Sequence, residues 1–431
     1  MPNMLAGLER DDPLKVADFR DDAGGCDAHE HGFLKVVSIS RGVAGVTPRH
    51  CCAANIWATP GRVFIYNPDA VSFSIRLETL HPALGRLLAL MVDRGATDLL
   101  VDADRPASVR IFGALVRVDD VCPSADDMRR MIENLLSPDQ QQDFTRNQDF
   151  DLSFEVERLA RFRCSLYRQR GTLCLAVRAL PLVIPSLDSL GLPPVVSDLA
   201  MLPRGLVLVT GPSGSGKSTT LAAMIARLNE TSQKHVITIE DPLEFLHVDK
   251  RSRVDQRAVG TDTPSFGRAL RSIVRQNPDV ILVGEMRDLD TMQTVLSLAE
   301  TGQLTLATLH TNSAAKTINR IIDAFPSERQ PEVRSQLALS LEAVISQTLL
   351  PRINGGLVAA AEVLIATGAV KTMIREGRLH QIYATMQASQ NIGMRTMNQT
   401  LADLVMRNAV SVEEACARSS DVKELRLLIH R

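Results

Sequence analysis

An eight-residue run, GPSGSGKS from Gly211 to Ser218, limits what this 431-residue chain can fold into more than any other feature. Before it, the apolar stretch Gly205-Leu-Val-Leu-Val-Thr predicts a buried parallel strand. After it, Leu221, Met224, Ile225 and Leu228 recur at helical spacing and predict a helix with one apolar face. A glycine loop set between strand and helix and ending in Lys-Ser is a phosphate cradle. Glycines at Gly211, Gly214 and Gly216 let the backbone turn tightly, so its N–H groups converge on phosphate oxygens where the helix begins. The predicted nucleotide-binding residues are Gly211, Pro212, Ser213, Gly214, Ser215, Gly216, Lys217, Ser218 and Thr219. Lys217 reaches the β and γ phosphates of ATP in this reading, and Ser218 holds Mg²⁺.

The length exceeds one ordinary core, so two or three domains are expected. Apolar residues at 45% and charged residues at 23% are the balance of a globular chain. A formal charge of −2 with interspersed signs gives no global field toward nucleic acid or anionic lipid. With 4% aromatic residues there are few platforms for stacked bases, and a nucleic-acid translocase is disfavoured. The seven cysteines are odd in number and contain no C-x-x-C pair, which argues against a disulfide framework and a four-cysteine zinc site. Residues 1 to 30 hold many acids and no apolar core of signal-peptide length, no run of about 18 apolar residues appears, and the expected compartment is the cytoplasm.

Four segments follow from the pattern. Residues 1–78 read as a poorly defined extension, in which Cys26, His29, Glu30 and His31 are scattered polar residues rather than metal ligands. An alternative reading starts the protein near Val71 or Leu77, and the mass of its N-terminal peptide decides. Residues 79–180 read as a small α+β domain: Leu84, Leu87, Leu88, Met91 and Val92 form a helical face, and Met128 to Leu136 is a second helix. Strands are expected over Ser108–Val118, turning at Gly113, over Phe150–Val156, and over Ala160–Ala179, turning at Gly171. Residues 181–195 are proline-punctuated and read as a linker, with the α/β part carrying the cradle over 196–431.

Beyond the cradle, strand and helix signals alternate as in a parallel sheet with helical crossovers. His235–Ile239 leads into Glu240-Asp241-Pro242, Val280–Val283 into Gly284-Glu285, and Leu304–Leu309 into His310. Ligands of open α/β sheets bind beyond the carboxyl ends of the strands, so Glu240, Asp241, Glu285 and His310 are predicted to surround one nucleotide. ATP hydrolysis needs a positioned water, neutralised γ-phosphate charge and a metal. Glu285 is a candidate to orient or deprotonate that water or to bind Mg²⁺ through water; Glu240, Asp241 and Glu244 are candidates for the metal's outer shell or for polarising the water. His310 is a candidate to sense the γ-phosphate.

Four segments carry a resemblance: GPSGSGKSTTLA (211–222), ITIEDPLEF (237–245), RQNPDVILVGEMRD (275–288) and AETGQLTLATLHTNSA (299–314). They resemble the four signature boxes of the type II/type IV secretion and pilus ATPases. Within that family the PilT-type retraction ATPases fit best. Ala369 to Glu376, AVKTMIRE, is similar to their C-terminal motif, Gly95 to Leu99 resembles the start of their N-terminal domain, and the cysteine-rich zinc site of the extension ATPases is missing. The resemblance covers roughly residues 80–431. It implies a hexameric ring of subunits, each with a PAS-like N-terminal domain and a RecA-like motor, hydrolysing ATP to drive pilus disassembly and twitching motility at an inner-membrane platform protein. It also implies catalytic roles for Glu240 and Glu285, a His-box role for His310, and phosphate neutralisation with Arg163, Arg170 and Arg178 as the candidates; metal contact by Ser218 and Asp241 rests on the motif and strand-end reading above.

Two positions depart from the family pattern, Gln303 and Leu100, where relatives usually carry histidine. An amide does not change charge near neutral pH, which excludes a protonation-dependent role at residue 303. Three alternatives stay open: an accessory retraction motor of the PilU kind acting with a paralogous pilus ATPase, a type II secretion ATPase, and an ATP-binding regulator or scaffold without turnover.

Overall fold

The computed structural model describes residues 55–59, 62–66, 74–111, 113–180, 183–260 and 262–430. The segment holding Cys26, His29, Glu30 and His31 lies outside the described residues. A short antiparallel hairpin, β1 (Asn55–Thr59) and β2 (Arg62–Tyr66), comes first. The rest is built on two seven-stranded sheets and is mixed α/β.

The first sheet runs β3-β7-β8-β9-β4-β5-β6. Its strands are β3 (Ser74–Ile75), β4 (Asp98–Asp102), β5 (Ala107–Ile111), β6 (Ala114–Val118), β7 (Asp149–Val156), β8 (Ala160–Gln169) and β9 (Thr172–Leu180). All neighbours are antiparallel except β3 and β7. β3 falls inside the stretch expected to be an extension, and Ile75 is buried in the core of this sheet. Over β8 buried and partly exposed residues alternate, the mark of a sheet covered on one face. The covering helices are α1 (Pro82–Asp93), α2 (Ala125–Leu135) and α3 (Pro138–Asn147). Leu84, Leu87, Leu88 and Met91 of α1 are fully buried as their spacing predicts, and Val92 is only partly covered. α3 was not anticipated: Ser137, just past the helix expected over Met128 to Leu136, is the N-cap of a new helix, closing a capping box with Gln140.

The second sheet runs β12-β11-β13-β14-β10-β15-β16. Its strands are β10 (Gly205–Thr210), β11 (His235–Glu240), β12 (Arg253–Ala258), β13 (Val280–Val283), β14 (Leu304–Leu309), β15 (Leu341–Pro351) and β16 (Leu357–Ile365). Every pairing is parallel except that of β15 with β16. One face is covered by α4 (Val195–Ala200) and α5 (Lys217–Thr231). The opposite face is covered by α6 (Phe266–Ile273), α7 (Leu289–Glu300), α8 (Ala314–Asp323), α9 (Gln330–Ser340), α10 (Gly368–Arg375) and α11 (Ile382–Ala388). With both faces covered, every residue of β10, β13 and β14 is buried. Each large apolar side chain so enclosed stabilises the fold by roughly 2 kcal/mol relative to exposure. Leu221, Met224, Ile225 and Leu228 form the buried stripe of α5.

The proline-punctuated segment packs instead of hanging as a tether. Leu187 is buried with α5, and Asp188 lies 3.9 Å from Arg227 of that helix. At the far end α12 (Met397–Met406), α13 (Val412–Arg418) and α14 (Val422–Ile429) cover the tips of β15 and β16. The buried Glu362 of β16 joins two elements: its carboxylate accepts the Ala314 N–H of α8 at 2.8 Å and the Met397 N–H of α12 at 3.3 Å. Burial pushes this carboxyl up from its ordinary pKa, and the two N–H groups pull it back.

Candidate functional site

The cradle residues form the loop between β10 and α5. Gly211 has φ 145°, and a side chain there would collide with the Gln347 carbonyl; Gly216 has φ 88° and a Cβ would stand 3.0 Å from Gln347 Nε2. Both positions demand glycine for space as well as for backbone angle. The backbone N–H groups of Gly214, Gly216, Lys217, Ser218 and Thr219 donate to no acceptor among the described residues. Five such donors around one helix N-terminus constitute an anion site. Lys217 is buried, and its ammonium donates to the carbonyls of Gly211 at 2.9 Å and Pro212 at 3.0 Å. Burial lowers its pKa, while the nearby carboxylates of Glu285 and Glu244 oppose that shift.

The cradle opens into a cavity of about 460 Å³. The carboxyl ends of β11, β13 and β14 reach it together and bring Glu240, Asp241, Glu285 and His310 into its wall, as their places at strand ends predict. Glu285 has both oxygens engaged: Oε1 lies 3.0 Å from His310 Nε2, and Oε2 accepts from Arg287 Nε at 2.7 Å. Arg287 also lies 3.5 Å from Asp241, so one guanidinium sits between the two acids. Glu240 accepts from the Thr238 hydroxyl at 2.7 Å and from the Gln256 amide at 3.3 Å. Enclosure outweighs both hydrogen bonds and pushes its carboxyl up to about 7, in the range useful to a group that takes and returns protons.

Arg163 and Arg178 of the first sheet line the same cavity. They stand directly opposite each other on β8 and β9, and the row continues through Asp98 of β4 to Arg110 of β5. Facing like charges repel unless an anion is supplied. Asp98 supplies part of it, 2.8 Å from Arg178 and 3.4 Å from Arg110, while Arg163 lies 3.4 Å from Asp151. Three arginines against two aspartates leave a net positive charge here. Arg170, grouped with these arginines from sequence, sits at the β8–β9 turn with φ 50° and does not line the cavity.

Three contributors escaped sequence reasoning. Arg287 follows Glu285 by two residues, a spacing that carries no signal for a loop. Arg161 of β8, half-buried beside Glu155, donates to the Leu243 carbonyl at 3.3 Å and ties the first sheet to the segment after β11. Gln347 is 2% exposed on β15, an element with no sequence signature. Gln303 lies at the amino end of β14, opposite His310, where its carbonyl accepts from Gly205 N–H and its amide from the Thr301 hydroxyl. Among the described residues no group of three or more His, Cys, Asp or Glu side chains is placed to hold a metal ion.

The sequence profile of the type II/IV secretion system protein family matches residues 145–420. The chain is 45% identical over 329 residues to the type IV pilus retraction ATPase PilT of Pseudomonas aeruginosa, covering 76% of this chain and 96% of that protein. It is 39% identical over 345 residues to the type IV pilus ATPase PilU of the same organism, covering 80% and 90%. A crystal structure of the pilus retraction motor PilT with bound ADP superposes with a TM-score of 0.73 at 44% identity, covering 79% of this chain and 99% of that one. With a cradle built for phosphates, acids at the ends of neighbouring strands, and these relatives over most of its length, the chain belongs to the type II/IV secretion system protein family, where it stands with the PilT-type pilus ATPases.

Proposed function

We propose that the chain hydrolyses ATP to drive type IV pilus retraction, the activity behind twitching motility. The observation that carries the chemistry is the cradle: five backbone N–H groups without protein acceptors, a buried Lys217 beside them, and Glu240 and Glu285 across the same cavity. Retraction is supported by the likeness to PilT and by α10, whose residues Ala369 to Arg375 supply most of the AVKTMIRE motif.

In this reading the phosphates lie on the cradle, and Lys217 exchanges its two loop carbonyls for phosphate oxygens. Glu240, with its raised pKa, takes the proton of the attacking water. Glu285 orients that water, with His310 and Arg287 holding its carboxylate. Arg163 and Arg178 neutralise charge that develops on the transferred group. The Ser218 hydroxyl, with Asp241 reaching through water, would hold Mg²⁺, which supplies charge neutralisation when bound. Such a donor set is incomplete without phosphate oxygens, the usual condition of a nucleotide-bound magnesium.

The second sheet is the RecA-like motor and the first a PAS-like domain, in a homohexamer working on an inner-membrane platform protein from the cytoplasm. No described helix is long and apolar enough to cross a membrane. The decisive experiment deletes the gene, counts surface pili and assays twitching. Excess pili with lost motility support retraction; loss of pili overturns it in favour of extension or secretion. The relation to PilU favours one second reading, an accessory retraction motor, in which the deletion leaves twitching intact until a paralogous ATPase is also removed.

A further inference from the structure

The phosphate loop is held from behind by a strand with no part in the nucleotide chemistry. Gln347 of β15 is enclosed, and its amide Nε2 donates to the Ser215 carbonyl at 2.7 Å. Its amide oxygen accepts from the Thr220 hydroxyl at 3.0 Å, which fixes the direction of the carboxamide. The loop wraps closely around this residue: a Cβ at Gly211 would strike its backbone carbonyl, and one at Gly216 its side-chain nitrogen.

We propose that Gln347 positions the phosphate loop for nucleotide binding, acting through the peptide that joins Ser215 to Gly216. A trans peptide carries its C=O and the following N–H on opposite sides. Drawing the Ser215 carbonyl back toward β15 therefore aims the Gly216 N–H forward, into the cradle, where it has no acceptor among the described residues. Without the amide donor the Ser215 carbonyl would be left buried and unpaired, and the peptide would turn to find another partner. Since a turned peptide presents an oxygen where a phosphate oxygen must sit, one lost hydrogen bond costs an attraction and adds a repulsion. No titratable group enters this contact, which joins one carboxamide to one peptide carbonyl and one hydroxyl. The proposal rests on the reading of Gly211 to Ser218 as a phosphate cradle, and binding of ADP to the unmodified protein tests that reading separately.

The test compares Gln347→Glu, Gln347→Met and Thr220→Val in the full chain. Glutamate replaces the donor by an acceptor facing the Ser215 carbonyl, methionine keeps the volume without a donor, and Thr220→Val removes only the contact to the amide oxygen. ADP and inorganic pyrophosphate are titrated by calorimetry, and ATPase KM and kcat are measured beside the melting temperature of each protein. Both Gln347 variants should bind ADP and pyrophosphate about tenfold more weakly, the scale of one buried hydrogen bond to the loop. KM should rise by a similar factor with kcat changed less than threefold, as for an interaction made in ground and transition states alike. Thr220→Val should lose less than threefold in affinity. A merely structural role would lower the active fraction, and so kcat, while leaving KM and the affinity of the folded protein in place. ADP affinity within twofold of the parent in either folded Gln347 variant overturns the proposal, as does a Thr220→Val loss equal to that of Gln347→Met. Should Gln347→Glu fail to fold, Gln347→Met alone is read by the same limits.

Discussion

The two sheets contribute to one cavity by opposite means. In the second sheet the central strands β10, β13 and β14 are buried from end to end, so only their termini can do chemistry. Glu285 and His310 follow the ends of β13 and β14, Glu240 ends the neighbouring β11, and Lys217 opens the helix after β10. In the first sheet one face is left uncovered by the described residues, and β8 and β9 offer Arg163 and Arg178 from the middle of strands paired on both sides. The first arrangement fixes a few groups rigidly at a rim; the second spreads positive charge over a surface. Rigid acids suit a water that must be aimed, and a broad row of arginines suits charge that must be met wherever it develops.

This contrast makes ordered predictions. Lys217→Ala removes the buried cation at the rim, and hydrolysis should be abolished with nucleotide binding weakened; unchanged turnover in a phosphate-release assay would falsify the assignment of the cradle. Glu285→Gln preserves shape and should lose turnover by about a hundredfold or more while ATP still binds. If that variant turns over normally, Glu285 is structural, and the rim is less specialised than its geometry implies. Arg163→Ala and Arg178→Ala act on the surface, and each should lose about tenfold in kcat, with ATP affinity changed less than kcat. Equal losses in the two quantities would mean that the row binds ground-state phosphate and nothing more. Arg170→Ala, at a turn away from the cavity, should change kcat less than twofold, and a larger drop would show that charge is read beyond the cavity wall.

Much of the rim was readable from sequence, because an apolar run that stops at an acid is a local pattern. The strand ends at Glu240, Glu285 and His310 needed only the rule that parallel sheets bind at their carboxyl ends. β12 was hidden for the opposite reason: its text, Arg-Val-Asp-Gln-Arg-Ala, is that of a charged edge strand with a single buried side chain, Val254. β15 was hidden because Leu341 continues without a loop from α9, and an apolar run does not tell strand from buried helix. Gln347 could not have been found at all, since its partners Ser215 and Thr220 are 132 and 127 residues away. The arginines were read as one group, and Arg163 and Arg178 line the cavity while Arg170 does not; that division depends on pairing register, which a sequence states only weakly.

Glu362 gives the molecule a common fulcrum. The helix that follows His310 and the helix that opens the C-terminal layer both begin on its two oxygens. A helix start is an electropositive point, and each opposes the upward push of burial on the carboxyl's pKa. If either helix lifted away, the buried carboxyl would lose one of its two N–H partners, at a cost of about 1–3 kcal/mol. The starts of the two helices are thereby tied to a single side chain, 48 positions further along the chain from the α8 contact.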